Sequence, residues 1–196
     1  MQDDTLSAEQ RKEYADTIYY ATEQLTALVT NVLRLSKLES QSIRPSAKPY
    51  DVCRQLSECI MTFADKLEEK QIDFSAEIED SAFVIADESL MEIVWNNLLL
   101  NAIKFTEQGG QITLSQRSDY DSVTIHIADN GCGMDRVTIK HIFEKFYQAD
   151  TTHAKDGYGL GLALTAKIIA LSDGNIQVTS ELGKGSVFSI QLKKHV

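Results

Sequence analysis

Residues 97–106 read Asn97-Leu98-Leu99-Leu100-Asn101-Ala102-Ile103-Lys104-Phe105-Thr106, and this segment, with the glycine loops behind it, decides the fold. There are three such loops: Asp129-Asn130-Gly131-Cys132-Gly133, Gly157-Tyr158-Gly159-Leu160-Gly161 and Gly183-Lys184-Gly185-Ser186. One loop of this kind is a weak sign. Three in this order, behind a helix face bearing amides and a lysine, mark a nucleotide pocket. A residue without Cβ lets backbone approach a ligand and adopt positive φ.

Residues four and seven apart share one helical face, so Asn97, Asn101 and Lys104 project together beside a stripe of Leu90, Val94, Leu98 and Phe105 expected to be buried. A side-chain amide oxygen is a hard, neutral ligand suited to Mg²⁺, which keeps waters and bridges phosphate oxygens. Lys104 supplies a point charge for phosphate. Taken alone, this face reads equally well as an exposed polar surface. Asp129 closes an alternating strand, Val123 to Ala128, and opens the first glycine loop. A carboxylate there can accept a hydrogen bond from an exocyclic amine, which adenine has and guanine lacks at that position. ATP is therefore favoured over GTP. Gly157 to Gly161 leads into a helix beginning near Leu160, and amides at a helix start bind anions. Between the first two loops lie Phe143-Glu144-Lys145-Phe146 and a polar run from Gln148 to Asp156, long enough for a mobile lid.

Working outward, Asp51 caps a helix whose apolar positions are Val52, Leu56, Ile60, Phe63 and Leu67. Ile72 to Ile78 and Phe83 to Ile85 read as strands, and Asp87 caps the helix that ends before Gly109-Gly110. Ile112 to Ser115 pairs with Val123 to Ile127, and Ile176 to Thr179 with Val187 to Leu192. Between these pairs, Leu160 to Leu171 is helical and stops near Gly174. Antiparallel strands with helices on one face make an α+β two-layer sandwich. Towards the start, Ser7 to Ser40 reads as one long helix, with Ser7 and Gln10 as a capping box. Ile18, Ala21, Leu25, Leu28, Val32 and Leu35 form a heptad seam that must meet another helix. The alternative is an ordinary amphipathic helix packed on its own domain. The serine-rich stretch from Glu39 to Pro49, with Pro45 and Pro49, reads as a linker and domain boundary.

The 196 residues suffice for one domain plus an appendage, and an apolar fraction of 43% supports a sizeable core. No stretch resembles a transmembrane helix or a signal peptide, so direct membrane contact is not expected. A formal net charge of −10 disfavours nucleic acid and anionic lipid as partners. Cys53, Cys59 and Cys132 form neither a paired framework nor a zinc spacing and fit a reducing cytoplasm. Cys132 is expected as a small packed residue.

Together these motifs resemble the sensor histidine kinases of two-component systems. Asn97 to Thr106 looks like their N box, Asp129 to Gly133 like the G1 box, Phe143 to Phe146 like the F box, and Gly157 to Gly161 like the G2 box. Gly183 to Ser186 is similar to the last glycine turn, and Leu6 to Glu39 to the second helix of the dimerisation and phosphoacceptor hairpin. The resemblance implies the Bergerat ATP-binding fold of the GHKL superfamily: a mixed, mostly antiparallel sheet with helices on one face. It divides the chain into residues 1–40 as the hairpin helix, 41–49 as linker and 50–196 as the ATP-binding catalytic domain. It implies Asn101 as Mg²⁺ ligand, Asn97 and Lys104 as phosphate contacts, and Asp129 as acceptor of the adenine amine. Asn101 and Lys104 are then the catalytic pair. Phe105, Tyr147 and Leu160 would border the nucleotide. Gly131, Gly133, Lys155, Gly157, Gly159, Gly161 and Ser186 would complete its binding site.

The family moves the γ-phosphoryl of ATP to a histidine and then to an aspartate on a response-regulator receiver domain. The same resemblance implies homodimerisation in the parent protein and a cytoplasmic location, under a membrane anchor or without one. Two departures stand out. None of His126, His141, His153 and His195 matches the acceptor, which belongs on a preceding helix. The chain is thus expected to be a fragment unable to phosphorylate itself. In the lid, His153 stands near the usual arginine, Asp156 replaces a glycine and Tyr158 a threonine, with Lys155 as the substitute charge. The alternatives are a related ATP hydrolase and a nucleotide-binding signalling module without kinase activity. Hydrolases of this fold carry glutamate where this chain has Asn97, and an amide cannot accept a proton from water.

Overall fold

The computed structural model describes residues 7–40, 45–149 and 158–195. Helix α1 (Ala8–Glu39) is capped as expected: the Ser7 hydroxyl accepts from the Gln10 N–H and the Ser7 N–H donates to Gln10 Oε1. Its seam is only partly covered. Leu35 is buried and Leu28 half-buried, but Ile18, Leu25 and Val32 are exposed. The covered end, Leu35 and Leu38, lies against helix α6 (Gly161–Leu171).

The stretch read as a linker ends in a strand. β1 (Lys48–Asp51) pairs antiparallel with β3 (Phe83–Ala86) in a small sheet of its own. Pro49 obscured this strand, yet proline is tolerated on an edge strand. The helix expected from Val52 through Leu67 divides into α2 (Val52–Thr62) and α3 (Ala64–Glu69). The Thr62 hydroxyl takes the Cys59 carbonyl that the Phe63 N–H would need, and that N–H turns to Ile60 instead. Asp51 caps α2 through the Cys53 N–H, and Asp87 caps α4 (Glu88–Phe105) through Ser89 and Leu90. A further helix, α5 (Arg136–His141), is too short and polar to show a periodic pattern in sequence.

The main sheet runs β2-β4-β5-β7-β6, from β2 (Asp73–Glu77), β4 (Gln111–Ser118), β5 (Ser122–Asp129), β7 (Gly185–Lys193) and β6 (Asn175–Glu181). Only β2 and β4 are parallel. Alternation along the strands sends Ile112, Leu114, Ile125, Ile127, Phe188 and Ile190 to one face. There they meet Val94, Trp95 and Leu98 of α4 and Leu164 and Ile168 of α6, all buried. Trp95 donates to Gln55 Oε1, which satisfies the one polar atom of its ring. Burial pushes the thiols of Cys53 and Cys59 up to about 11, so both act as packed neutral side chains.

Register places Asp129. Asp129 lies on the helix-facing side of the sheet, paired with Ile112 on one flank and Ser186 on the other. The core of the two-layer sandwich therefore ends in a carboxylate.

Candidate nucleotide-binding site

Asp129 Oδ1 accepts from the Gly131 N–H at 2.9 Å. Burial pushes the Asp129 carboxyl above the usual carboxylate range, against the opposing pull of the Gly131 and Ser186 backbone N–H groups. A half-buried carboxylate with acceptor capacity to spare is suited to an amine donor.

The glycines around it are required by close approach. A Cβ on Gly131 would strike the Phe105 carbonyl, and the neighbouring Cys132 N–H donates to that same oxygen at 3.3 Å. Gly133, at φ +63, sits against the Glu181 carbonyl, and Gly185, at φ +95, against the backbone of Asp129 and Asn130. Cys132 itself is exposed, which corrects the expectation of a packed residue. Its backbone does the packing: the N–H meets Phe105 and the carbonyl accepts from Gly183.

Gly185→Ala should therefore lose at least about 1–3 kcal/mol of stability and weaken nucleotide binding together. Thermal melting and calorimetry check this; a melting temperature like that of the parent chain would contradict the cradle.

Several links were invisible in sequence. The Ser180 hydroxyl donates to the Gly185 carbonyl at 2.8 Å, accepts from the Met134 N–H at 2.8 Å and lies 3.1 Å from the Ser186 hydroxyl. Asn130 Oδ1 accepts from the Gln111 N–H at 2.7 Å. These bonds stitch the loop after β5 to the β6–β7 turn and to β4. Ser180 and Asn130 read locally as ordinary strand and turn residues, so no signal could have found them.

Asn97, Asn101 and Lys104 are all half-buried on α4. The Asn97 amide nitrogen donates to the Gly161 carbonyl at 3.1 Å and meets Thr165 Oγ1 at 3.4 Å. Asn97 thereby seats the start of α6 against α4. That start carries no side-chain cap, so first-turn amides are available to an anion there. Lys104 Nζ lies 4.8 Å from the centre of the Phe105 ring. Leu160 is buried and Tyr147 half-buried beside His141, at 5.5 Å between rings, while Phe105, at the last turn of α4, is exposed, which corrects its expected place in the buried stripe with Leu90, Val94 and Leu98. Phe146 and Gly159 both have positive φ, and the Phe146 N–H donates to the Gly159 carbonyl at 2.9 Å. This bond ties the end of the stretch 143–146 to the residue two before α6.

The structure brings Phe105, Asp129, Gly131, Gly133 and Ser186 to one end of the sandwich, and Asn97 with Gly161 to the junction of α4 and α6. Lys155, Gly157, His153 and Asp156 lie outside the described residues. The other histidines are placed unlike acceptors: His126 is half-buried in β5 against Ser189, His141 pairs with Glu144, and His195 sits near the end of the chain.

With that arrangement in view, comparison decides the family. The family of histidine kinase-, DNA gyrase B- and HSP90-like ATPases matches residues 86–196. The chain belongs to this family. It is 32% identical to the circadian input-output histidine kinase CikA of Synechococcus elongatus, over 93% of this chain and 25% of CikA. The crystal structure of full-length ShkA in complex with AMPPNP matches all of this chain and 41% of ShkA, with a TM-score of 0.82 and 28% identity. Histidine kinase ThkA in complex with the response regulator TrrA matches with a TM-score of 0.78 and 25% identity, over the whole chain and 55% of ThkA. The chain thus spans about a quarter of its curated relative. Its fold is that of the ATP-binding catalytic region of sensor histidine kinases, the mostly antiparallel sandwich behind a long helix.

Proposed function

We propose that this chain binds ATP at the Asp129 end of the sandwich and directs its γ-phosphoryl to a histidine on a partner helix, for relay to a receiver-domain aspartate. The observation that carries the reading is Asp129: a half-buried carboxylate at a strand end, ringed by glycines that approach too closely for any side chain. ShkA, similar over 41% of its length, is solved in complex with AMPPNP.

The donor set fits Mg²⁺ in the manner of a phosphate-bridging ion. Among the described residues there is no cluster of His, Cys, Asp or Glu able to hold a metal alone. One amide, Asn101, suffices for an ion that keeps its waters and phosphate ligands. When bound, Mg²⁺ neutralises charge on the phosphate oxygens. Lys104 adds a second cation, and Asn97 holds the α6 amides where the phosphates end. Lys155, Gly157 and Gly159 are proposed as further contacts to the nucleotide. Phe105, Tyr147 and Leu160 are proposed to flank the base, with Ser186 beside Asp129. In the transfer, the imidazole nitrogen forms a bond to the γ-phosphorus as the bond to the bridging oxygen breaks and ADP leaves. Such transfer rests on positioning and charge neutralisation, the roles proposed for these residues. No carboxylate stands at residue 97 to take a proton from water, so hydrolysis is expected to be very slow.

The exposed seam of α1 supports a homodimeric hairpin in the parent protein. The ThkA–TrrA complex supports a receiver domain as the phosphoryl acceptor's partner. Among the described residues no helix is long and apolar enough to cross a membrane. No contact with nucleic acid or anionic lipid accords with the acidic charge of −10, and a cytoplasmic setting with cysteines that form no paired framework.

Supplying a hairpin that carries its histidine, with γ-labelled ATP, tests this reading. Label should accumulate on the histidine while phosphate release stays slow. Rapid phosphate release without histidine labelling would support a hydrolase instead, and bound ATP with neither outcome a signalling module.

A further inference from the structure

The last turn of a helix leaves carbonyls without intrahelical partners. At the end of α4 every one from Ala102 to Glu107 is accounted for. Ala102 accepts from the Thr106 N–H, Phe105 from the Cys132 N–H and Glu107 from the Gly110 N–H. The other three go to one ammonium group. Lys70 Nζ donates to the carbonyls of Ile103 at 2.7 Å, Lys104 at 3.1 Å and Thr106 at 2.9 Å. All three of its protons are used, and its charge complements the negative end of the α4 dipole.

Lys70 is itself held in place. It ends α3 in a Schellman motif, with Gln71 at φ +53. The Ile72 N–H reaches back to Leu67 and the Gln71 N–H to Glu68. Ile72 and Leu67 are both buried, the apolar contact that accompanies this cap. The Lys70 carbonyl in turn accepts from the Gly109 N–H at 2.9 Å, and Asp73 N–H donates to Gly110. The α3–β2 junction and the turn after α4 thus grip each other from both sides. The residue so fixed is Lys104, whose own carbonyl is one of the three, whereas the Phe105 carbonyl is held independently by the Cys132 N–H of the loop after β5.

We propose that Lys70 is a positioning residue for phosphate binding: its ammonium group sets the end of α4 from which Lys104 reaches the phosphates, without touching the nucleotide. This rests on the assignment of the pocket above and adds to it a residue from outside the motifs. Adenine, held by Asp129 on β5, depends less on that turn than the phosphates do.

The test separates the two ends of the ligand. Lys70→Met keeps the apolar stem and removes the three donors; Lys70→Arg keeps the charge and several donors. Each is titrated with Mg-ATP and with adenosine. Lys70→Met should weaken Mg-ATP about tenfold and leave adenosine binding within about twofold, while Lys70→Arg recovers most of the Mg-ATP affinity. Should Lys70→Met not fold, Lys70→Gln, with two amide donors, carries the same comparison. Equal losses for both ligands, or an unchanged Mg-ATP affinity, would reduce Lys70 to a stabilising cap and overturn the proposal. Failure of the parent chain itself to bind Mg-ATP would instead sink the pocket assignment, and this inference with it.

Discussion

Asn101→Ala is expected to remove most of the magnesium-dependent part of ATP binding, a loss of roughly 10- to 100-fold, or about 1.4–2.7 kcal/mol. Donor count sets the size of that loss. Asn101 is the amide proposed to reach the ion, and the described residues offer no acidic cluster to replace it. An ion that accepts few protein ligands loses a large share of its protein anchorage when one is deleted. Adenosine, which carries no phosphates, should bind the variant as it binds the parent chain. Asn101 is half-buried on the surface of α4 and outside the buried core, so the fold should persist. Titrating ATP with and without magnesium measures the effect. An Asn101→Ala chain whose magnesium-dependent gain equals that of the parent would break the metal assignment.

Asp129→Asn is expected to act at the other end of the nucleotide. The substitution keeps an oxygen for the Gly131 N–H but replaces a carboxylate with an amide that also presents donors. ATP affinity should fall by about 100-fold and preference over GTP should largely vanish, because the adenine amine loses a charged acceptor in a half-buried setting. Stability should move the opposite way. The carboxyl of Asp129 is raised in the folded chain, chiefly by burial, so its ionised form opposes folding at pH 7. Protonation on acidification relieves that cost, and the neutral amide relieves it at every pH. Asp129→Asn should thus melt higher than the parent at pH 7, with the difference shrinking as pH falls through the raised value. ATP binding by the parent chain should weaken over that same acid range. Calorimetry with ATP and GTP, paired with melting curves against pH, checks both halves. A variant that is less stable and still selects ATP would contradict this role for the carboxylate.

What the sequence made legible was what repeats or punctuates. Alternation in Ile112 to Ser115 and Val123 to Ile127 fixed their pairing, and Ser7, Asp51 and Asp87 announced their helices by capping chemistry. Of the motif glycines, Gly131, Gly133, Gly159 and Gly185 stand where a Cβ would run into backbone, whereas Gly183 has open space around it. Illegible were features decided by partners distant in the chain. The strand at Lys48–Asp51 exists because Phe83–Ala86 pairs with it, and Pro49 hid it. The break at Phe63 depends on one threonine hydroxyl. Lys70 and Ser180 are tied to the end of α4 and to the loop after β5 only by carbonyls and amides far from them in sequence, which no local pattern reports. Asn97 was read as a phosphate contact; its partners Gly161 and Thr165 give it the further task of seating α6.

The central claim is that a purine and a phosphate-bound cation bind at opposite ends of one nucleotide, near Asp129 on β5 and Asn101 on α4. A crystal structure with magnesium and a non-hydrolysable ATP analogue tests it most directly. The exocyclic amine should lie within hydrogen-bonding distance of the Asp129 carboxylate, and the Asn101 amide oxygen should sit on the magnesium ion. A base lodged away from Asp129, or a metal held without Asn101, would contradict it.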